Sequence, residues 1–597
     1  MLLAVVLLPL LSACAQTPVD RQPLVDASFI APERASGYVA KPGWIAKKYM
    51  VAAANPLAVD AGDQMLKQGG TAIDAAIAVQ MVLTLVEPQS SGIGGGAFML
   101  YFDGAQVQAF DGRETAPASA SDRLFLTADG KPMPFFDAVV GGRSVGVPGV
   151  LRMLENAHKQ YGKLPWATLF APAIHLAREG FAVSPRLASL LQTDDYLKSD
   201  PVAAAYFYGN DGKPRPPGYV LKNPALATTL QKIAAEGADA FYIGNIAQDI
   251  ADKVNRHLTN PGGLSVRDLA TYEAKVREPV CTEYRIWIVC GMPPPSSGGI
   301  AVAQMLGMLA TRDMQALAPQ KEGSNIGELN AEAVHLFAEA GRLAYADRNR
   351  YLADTDFVPL PGNSFGPLLD QRYLAQRASL IGTQSMQQAQ PGAPFAKTVA
   401  WGDDRSPELP STSHMSIVDA YGNAVAMTSS IENEFGSRQM VDGFLLNNQL
   451  TDFSFEAADE NGPIANRVQP GKRPRSAMAP TFVFEKGSGK LVLAIGSPGG
   501  SSIINYVAKT LIGTLDWGLN VQQAIDLPNI GSRNGPTELE EGRVSPALIR
   551  ALTAKGHKLQ IDEQTSGLHG IMRMHLHGED IWFGGADPRR EGVAKGE

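Results

Sequence analysis

Cysteine is nearly absent from this chain, with three in 597 residues, at Cys14, Cys281 and Cys290. So sparse a set excludes a small disulfide-built scaffold and the multi-cysteine spacing of a structural zinc fold. Charge is thin as well, at 19% of residues, and 52 basic against 60 acidic side chains leave a net −8. No basic stripe is left to release counterions from a phosphate backbone, so nucleic acid is excluded as a partner. Long low-complexity tracts are missing, and no period of about 20–50 residues repeats, which excludes a solenoid or a propeller. Long hydrophobic runs are missing too. The opening MLLAVVLLPLLSACAQTPVD is too short to span a bilayer and ends in small residues.

That opening reads as an export signal over residues 1–13, and Leu11-Ser12-Ala13-Cys14 resembles a bacterial lipobox, whose cysteine becomes the lipidated N-terminus. The basic segment that usually precedes the apolar run is lacking, so plain secretion and an uncleaved anchor stay open as alternatives. Residues 14–45, rich in Pro, Ala and Ser, read as a tether. The expected location is periplasmic, with the membrane touched only through the N-terminal lipid. In an oxidising compartment Cys281 and Cys290 become candidates for a bridge, because they lie on two short strand-like runs nearly symmetric about Tyr284-Arg285. Two unpaired buried thiols are the alternative, since spacing does not fix Cβ geometry.

What is present is an ordinary globular composition, 45% hydrophobic, with helix and strand patterns interleaved. Helical periodicity from Asn55 to Glu87, broken at Gly69-Gly70, predicts two packed helices joined by a tight turn. The glycine run of SGIGGGAFMLYFDG then leads into a strand. Residues 163–180 and 224–256 read as helical, a strand pair surrounds the cysteines, and MPPPSSGG leads into another helix. Beyond Thr412 the pattern is mostly strands, with one long helix in SSIINYVAKTLIGTLDWGLN. The interleaving predicts a layered α/β body.

The chemistry concentrates in the segment PELPSTSHMSIVDAYGNAVAMTSS, residues 407–430, where Thr412 stands at the change from loose chain to strand. A threonine hydroxyl is a poor nucleophile, and a cut between Ser411 and Thr412 would supply its base. The freed α-amine, with a reference pKa of about 7.7–8.0, would sit on the same residue as the hydroxyl. Alternatively, Thr412 merely opens a hairpin whose strands flank Tyr421-Gly422-Asn423. GSPGGSS, residues 496–502, is a glycine turn opening into a helix, a geometry that aims the N–H groups of Gly499 and Gly500 at a developing oxyanion. An ordinary turn at a helix start has the same sequence. NNQLTDF carries Gln449 and Asp452, and GKRPRSAMAPT places Ser476 in a Pro-flanked turn. Gly92-Ile93-Gly94 fails as a dinucleotide turn because a strand follows it instead of a helix. His575 and His577 lack a third ligand nearby and read as surface residues.

Taken in order, SGIGGGAFM, DGRETAP, MPPPSSGG, AYADRNRYLAD, TSHMSIVDAYGNAV, NNQLTDFS, GKRPRSAMAPT, GSPGGS and GADPR resemble the γ-glutamyltranspeptidases, or glutathione hydrolases, of the N-terminal nucleophile superfamily. The resemblance implies a four-layer αββα sandwich, made as one precursor and nicked into a large subunit, 46–411, and a small catalytic one, 412–597. It implies that Thr412 is the nucleophile, that Ser430 hydrogen-bonds it, and that Gly499 and Gly500 hold the oxyanion. Arg113 then holds the substrate α-carboxylate with Ser476 assisting, and Glu432, Gln449 and Asp452 receive the α-ammonium. The implied reaction moves a γ-glutamyl group from glutathione or a related compound to water or an amino acid through a threonyl ester, as part of glutathione metabolism. Neither cofactor nor metal is called for.

The residue types agree with that chemistry. A head group bearing carboxylate and ammonium on one carbon needs a fixed bidentate cation beside acceptors of opposite charge. Two positions depart from the family's usual pattern: Ala477 replaces a second serine, and position 432 holds Glu where other members have Asn. The stretch Ser454–Pro470, a lid in some members, is intermediate in length. A glutaryl-type acylase, acting on side chains such as those of cephalosporins, is the enzyme alternative. Ala477 favours it, whereas Glu432 and Asp452 oppose it, because buried carboxylates with no cation to meet are costly. An inactive lipid-anchored binding protein is the second alternative.

Overall fold

Strand Ser413–Val418 lies inside a seven-stranded antiparallel sheet, paired on one side with Met50–Ala53 and on the other with Ala424–Ser430. The sheet continues through Gly96–Phe102 and Val107–Gly112 to Lys275–Arg277, and Val593–Gly596 closes its other edge. A second seven-stranded antiparallel sheet runs Trp44–Ala46, Glu579–Ala586, His569–Leu576, Leu491–Gly496, Thr481–Glu485, Trp287–Gly291 and Val280–Tyr284. The structure, a computed structural model, describes residues 37–322, 325–396, 400–406 and 411–597. The expected signal, Cys14 and the tether up to residue 36 lie outside the described residues.

The alternation of side chains along each strand decides the layering. Val51, Ala53, Met415, Ile417, Val425 and Met427 pack against helices Pro56–Lys67, Ala72–Val86 and Val150–Tyr161. Their neighbours Met50, Ala52, Val418, Ala424 and Ala426 turn the other way and meet Phe482, Leu493 and Ile571 of the second sheet. That sheet is covered outside by helices Gly298–Leu309, Ala331–Tyr351 and Ile503–Leu515. The result is the four-layer αββα sandwich that the resemblance implies. Both sheets draw strands from before and after Thr412, so neither segment holds a complete core of its own.

Most predicted elements are present. Two helices flank the Gly69-Gly70 turn, and the second, Ala72–Val86, is buried along its whole length and opens on a Thr71–Asp74 capping box. Asp419, in the turn after strand Ser413–Val418, accepts the Ala72 N–H at 2.9 Å and ties the hairpin to that helix. Cys281 and Cys290 are direct partners across their strand pair and are joined in a disulfide. The helical stretch 224–256 is cut into three helices at Gly237 and Gly244, and the long helix after Ser502 ends at Leu515, with a second helix over Val521–Asp526. Helix Ala331–Tyr351, the longest among the described residues, is missing from the sequence expectations. Its polar residues His335, Glu339, Arg342 and Asp347 are all buried, so no polar face alternates with an apolar one to announce it.

Candidate active site

Antiparallel register places Ser413 opposite Ser429, and one step further along puts Thr412 opposite Ser430. The two hydroxyl oxygens are 3.4 Å apart. In the continuous chain the Ser411 carbonyl oxygen lies 2.6 Å from Thr412 Oγ1 and accepts from Ser430 Oγ at 2.8 Å. Ser430 Oγ in turn accepts the Glu432 N–H at 2.8 Å, which orients its proton towards that carbonyl. Glu432 makes this possible by adopting a positive φ of 77°, a conformation that turns the chain sharply after the strand. Behind the turn stands Gly95, where a Cβ would come 2.1 Å from the Ser430 carbonyl oxygen. Its lack of a side chain is what lets the loop before strand Gly96–Phe102 approach so closely.

Thr412, Ser430, Arg113, Glu432, Gln449, Asp452, Ser476 and Gly500 all line one cavity of about 20 Å³, joined by Ala477, Met478 and Ile503. Gly499 stands one residue behind Gly500 in the same turn and does not line the cavity. The turn needs glycine at both places, with φ of 130° and 54°, and it runs through one 3-10 turn into helix Ile503–Leu515. Among the described residues neither Gly499 N–H nor Gly500 N–H has a hydrogen-bond partner within the protein, and both precede the helix that begins at Ile503. Tyr345 OH donates to the Ser501 carbonyl and fixes the turn from the helix layer.

Arg113, almost fully buried, donates from Nε to the Pro474 carbonyl at 3.1 Å and from Nη2 to the Arg475 carbonyl at 2.9 Å and to Asp452 Oδ2 at 2.5 Å. The cation and the anion of the pocket thus pair with each other. Nη1 has no hydrogen-bond partner among the described residues and stands 3.9 Å from Glu114 Oε2. The bidentate grip expected from the sequence therefore requires Asp452 to give way. Gln449 Nε2 also donates to Asp452 Oδ2, at 2.8 Å, which leaves Gln449 Oε1 buried without a partner. Glu432 Oε2 accepts from Asn448 Nδ2, while Glu432 Oε1 is likewise buried and unpartnered. Burial, reinforced by Asp452, holds the Glu432 carboxyl well above the ordinary range. Two acceptor oxygens without donors and one free guanidinium N–H thus border the threonine.

The chain matches the model of the family described as gamma-glutamyltranspeptidase over residues 58–597. It belongs to the gamma-glutamyltranspeptidase family. It is 36% identical over 564 residues to the glutathione hydrolase proenzyme of Bacillus subtilis, with 92% of each chain covered. It is 36% identical over 557 residues to the glutathione hydrolase proenzyme of Escherichia coli, with 91% of each covered. Among solved structures it resembles the cephalosporin acylase from Bacillus halodurans, with a TM-score of 0.79, 28% identity, and coverage of 95% of this chain and 99% of that one.

Several residues that complete this gamma-glutamyltranspeptidase site escape the sequence reading. Asn448, inside a recognised motif, orients Glu432. Arg590 Nη1 reaches the Thr412 carbonyl at 3.3 Å from the far end of the chain. Glu114 lies buried beneath Arg113, its Oε2 3.9 Å from Nη1, and burial pushes its carboxyl up to about 8. Ser296 and Ser297 of the MPPPSSGG motif brace the Ser476 segment, with Ser297 Oγ donating to the Ser476 carbonyl at 2.6 Å and Ser296 Oγ to that of Met478 at 2.6 Å. Residues 454–470 form a loop closed by the Ser454 N–H on the Asn466 carbonyl, and none of them lines the cavity. His575 is exposed and paired with Asp580, as its surface reading requires.

Proposed function

We propose that this protein cleaves itself before Thr412 and then hydrolyses or transfers the γ-glutamyl group of glutathione-like compounds. The observation that carries the reading is the gathering of Thr412, the Arg113 donor and the unpartnered oxygens of Glu432 and Gln449 in one cavity. A carboxylate can meet Arg113 Nη1 and an ammonium can meet Glu432 Oε1 and Gln449 Oε1. An α-amino acid head satisfies all of them together.

In the first step, Thr412 Oγ1 attacks the Ser411 carbonyl carbon, and Ser430 Oγ stabilises the developing oxyanion. The tetrahedral centre collapses with cleavage of the Ser411–Thr412 C–N bond, the hydroxyl proton passing to the departing nitrogen, which frees the Thr412 amine and leaves Ser411 esterified to Oγ1; water then hydrolyses that ester to the Ser411 carboxylic acid and the free Thr412 hydroxyl. A cavity of about 20 Å³ holds one or two waters and is too small for a γ-glutamyl head, so departure of the Ser411 end is also what opens the site. In turnover the Thr412 amine takes the hydroxyl proton, Oγ1 attacks the γ-carbonyl, and the Gly499 and Gly500 amides receive the oxyanion. The leaving amine departs with a proton, and water or an amino acid then takes the glutamyl group from the ester.

The two segments, 46–411 and 412–597, remain together as a heterodimer because each sheet is built from both. Among the described residues no helix is long and apolar enough to cross a membrane. A lipid at Cys14 would hold the enzyme at a periplasmic membrane surface. Intact mass and N-terminal sequencing test the cleavage: a small chain starting at Thr412 is expected, and a single uncut chain overturns it. The structural likeness to a cephalosporin acylase makes a glutaryl head group the second reading. Glu432 disfavours it, since a glutaryl group brings no ammonium to that carboxylate. Faster hydrolysis of glutaryl than of γ-glutamyl anilide would reverse the order of the two.

A further inference from the structure

Among the described residues a second chemically equipped cluster lies along helix Ala331–Tyr351, beside strand Thr537–Glu540. His335 and Glu339 are one helical turn apart on that helix, so their side chains share a face. His557, from the loop after helix Pro546–Ala554, meets them there, and one ligating atom from each of the three lies within 4.8 Å of the others. All three residues are buried.

The hydrogen bonds around the two imidazoles fix how they face each other. His335 Nε2 lies 2.9 Å from the Gly382 carbonyl, which only accepts, so this nitrogen carries the proton and Nδ1 is a bare lone pair. His335 Nδ1 lies 2.8 Å from His557 Nε2. The other His557 nitrogen, Nδ1, is 2.6 Å from Thr537 Oγ1, a hydroxyl that can serve as donor or acceptor. Each ring is therefore anchored by its outer nitrogen and presents its inner nitrogen to the same point. That is the arrangement by which metal-ligating histidines are oriented in protein sites. Glu339 is anchored likewise: Oε1 accepts from Ser385 Oγ at 3.0 Å and Oε2 from the Met386 N–H at 2.9 Å, with a second lone pair left on each oxygen.

We propose that His335, Glu339 and His557 form a zinc site. Two imidazoles and one carboxylate are a ligand set that zinc takes, and a pair of histidines held from outside by the Gly382 carbonyl and the Thr537 hydroxyl supplies its geometry. Tetrahedral Zn–N bonds of about 2.0–2.1 Å need the two inner nitrogens about 3.3 Å apart, so the rings open by about half an ångström from their present contact. His557 shifts its proton from Nε2 to Nδ1, where Thr537 Oγ1 accepts it, and no proton leaves the protein. Arg342 opposes the ion: its Nε lies 3.3 Å from Glu339 Oε1, although Nη1 and Nη2 are held away by Ser532 and Thr537. The site itself does not depend on the cleavage proposed above. Because His335 and Glu339 precede Thr412 and His557 follows it, the ion would also link the two pieces if that cleavage occurs.

The test uses the full chain, stripped with chelator and then titrated with zinc alone. Metal retained after gel filtration is counted by mass spectrometry, and the zinc K-edge spectrum reports its ligands. About one zinc per chain is expected, with imidazole scattering in the spectrum, and at least a tenfold loss of affinity in His557→Gln and Glu339→Gln. His575→Ala, which alters an exposed histidine, leaves the zinc in place. Failure of wild-type protein to retain stoichiometric zinc overturns the proposal, as does loss of zinc in His575→Ala with retention in His557→Gln. Should the buried variants fold poorly, the wild-type spectrum decides: two imidazoles support the site, and a shell of oxygens alone overturns it.

Discussion

Thr412 and Ser430 face each other across two antiparallel strands with the Ser411 carbonyl oxygen within hydrogen-bond reach of both hydroxyls. The same register that builds the sheet thus delivers two hydroxyls to one peptide bond, which the proposed self-cleavage uses as nucleophile and oxyanion donor. Removing one such donor typically costs about 10²–10³ in rate. Ser430→Ala is therefore expected to slow the appearance of the two chains by that factor while leaving the fold intact. A time course of cleavage on denaturing gels measures it, and cleavage at the wild-type rate would show that Ser430 does not act on this carbonyl.

Arg113 is held by two main-chain carbonyls and Asp452, a three-point fork that a lysine ammonium cannot reproduce from the same backbone position. Arg113→Lys is expected to lower kcat/KM for a γ-glutamyl anilide by about 10² or more and to destabilise the protein by about 3 kcal/mol, because Asp452 is left in a poorly matched buried pair. Steady-state kinetics and urea titration read the two effects separately.

Glu432 Oε1 is buried without a hydrogen-bond partner, and in the proposed function it meets the ammonium of the substrate. Glu432→Gln keeps the shape and removes the charge, so KM should rise about 10–100-fold with kcat little changed. Stability should move the other way. The folded-state pKa of Glu432 is raised above its unfolded value, so its contribution is present when protonated and is lost as pH climbs above about 4.5 towards the raised pKa. The variant should gain on the wild type as pH rises from 5 to 9. Thermal melts across that range check the sign.

Much of this site is legible in the sequence because its residues sit in motifs bounded by glycine and proline, where backbone demands restrict the residue type. Gly499-Gly500 and the strand start at Thr412 are of this kind. What escapes is the layer that acts through burial. Arg590 reaches the Thr412 carbonyl from the far end of the chain, and Asn448 and Glu114 stand inside motifs in which nothing local says that they pack against Glu432 and Arg113. Helix Ala331–Tyr351 escapes for the same reason, since its buried arginine, aspartate and histidine interrupt the apolar period. The direct Arg113–Asp452 ion pair joins residues far apart in the chain, and only the fold brings them into contact.

Lys472 is buried with its ammonium donating to the Ala465 and Arg467 carbonyls at 2.6 and 2.9 Å, and burial lowers its pKa to about 7. The loop it holds supplies Asn466, which donates to the Asp452 carbonyl and accepts from the Arg475 N–H. The folded pKa is depressed below the unfolded value of about 10.4, so the unfolded chain binds more protons between the two and stability rises with pH across that window. Lys472→Met lacks this dependence. The wild type should therefore gain on the variant from pH 7 to pH 10, and parallel stability curves would mean that the ammonium stays charged throughout.

Ala477 lines the cavity beside Ser476, whose Oγ already accepts the Met478 N–H at 3.1 Å and keeps its own proton for a ligand. Arg113 has one guanidinium nitrogen to spare while Asp452 holds the other, so the hydroxyl at 476 carries more of the α-carboxylate than in a site with a second serine. Ala477→Ser adds a hydroxyl at a position that already borders the cavity. A hydrogen bond to a charged group contributes about 1.5–3 kcal/mol, so KM for γ-glutamyl anilide should fall about tenfold or more with kcat nearly unchanged. Glutaryl anilide lacks the α-ammonium, but its terminal carboxylate stands the same number of carbons from the scissile amide as the α-carboxylate of the γ-glutamyl group. The added hydroxyl should therefore improve both substrates alike, whereas Glu432→Gln should penalise only the one with an ammonium. Measured together, the two variants separate carboxylate recognition from ammonium recognition, and a penalty shared by both anilides in Glu432→Gln would remove the ground for placing the ammonium there.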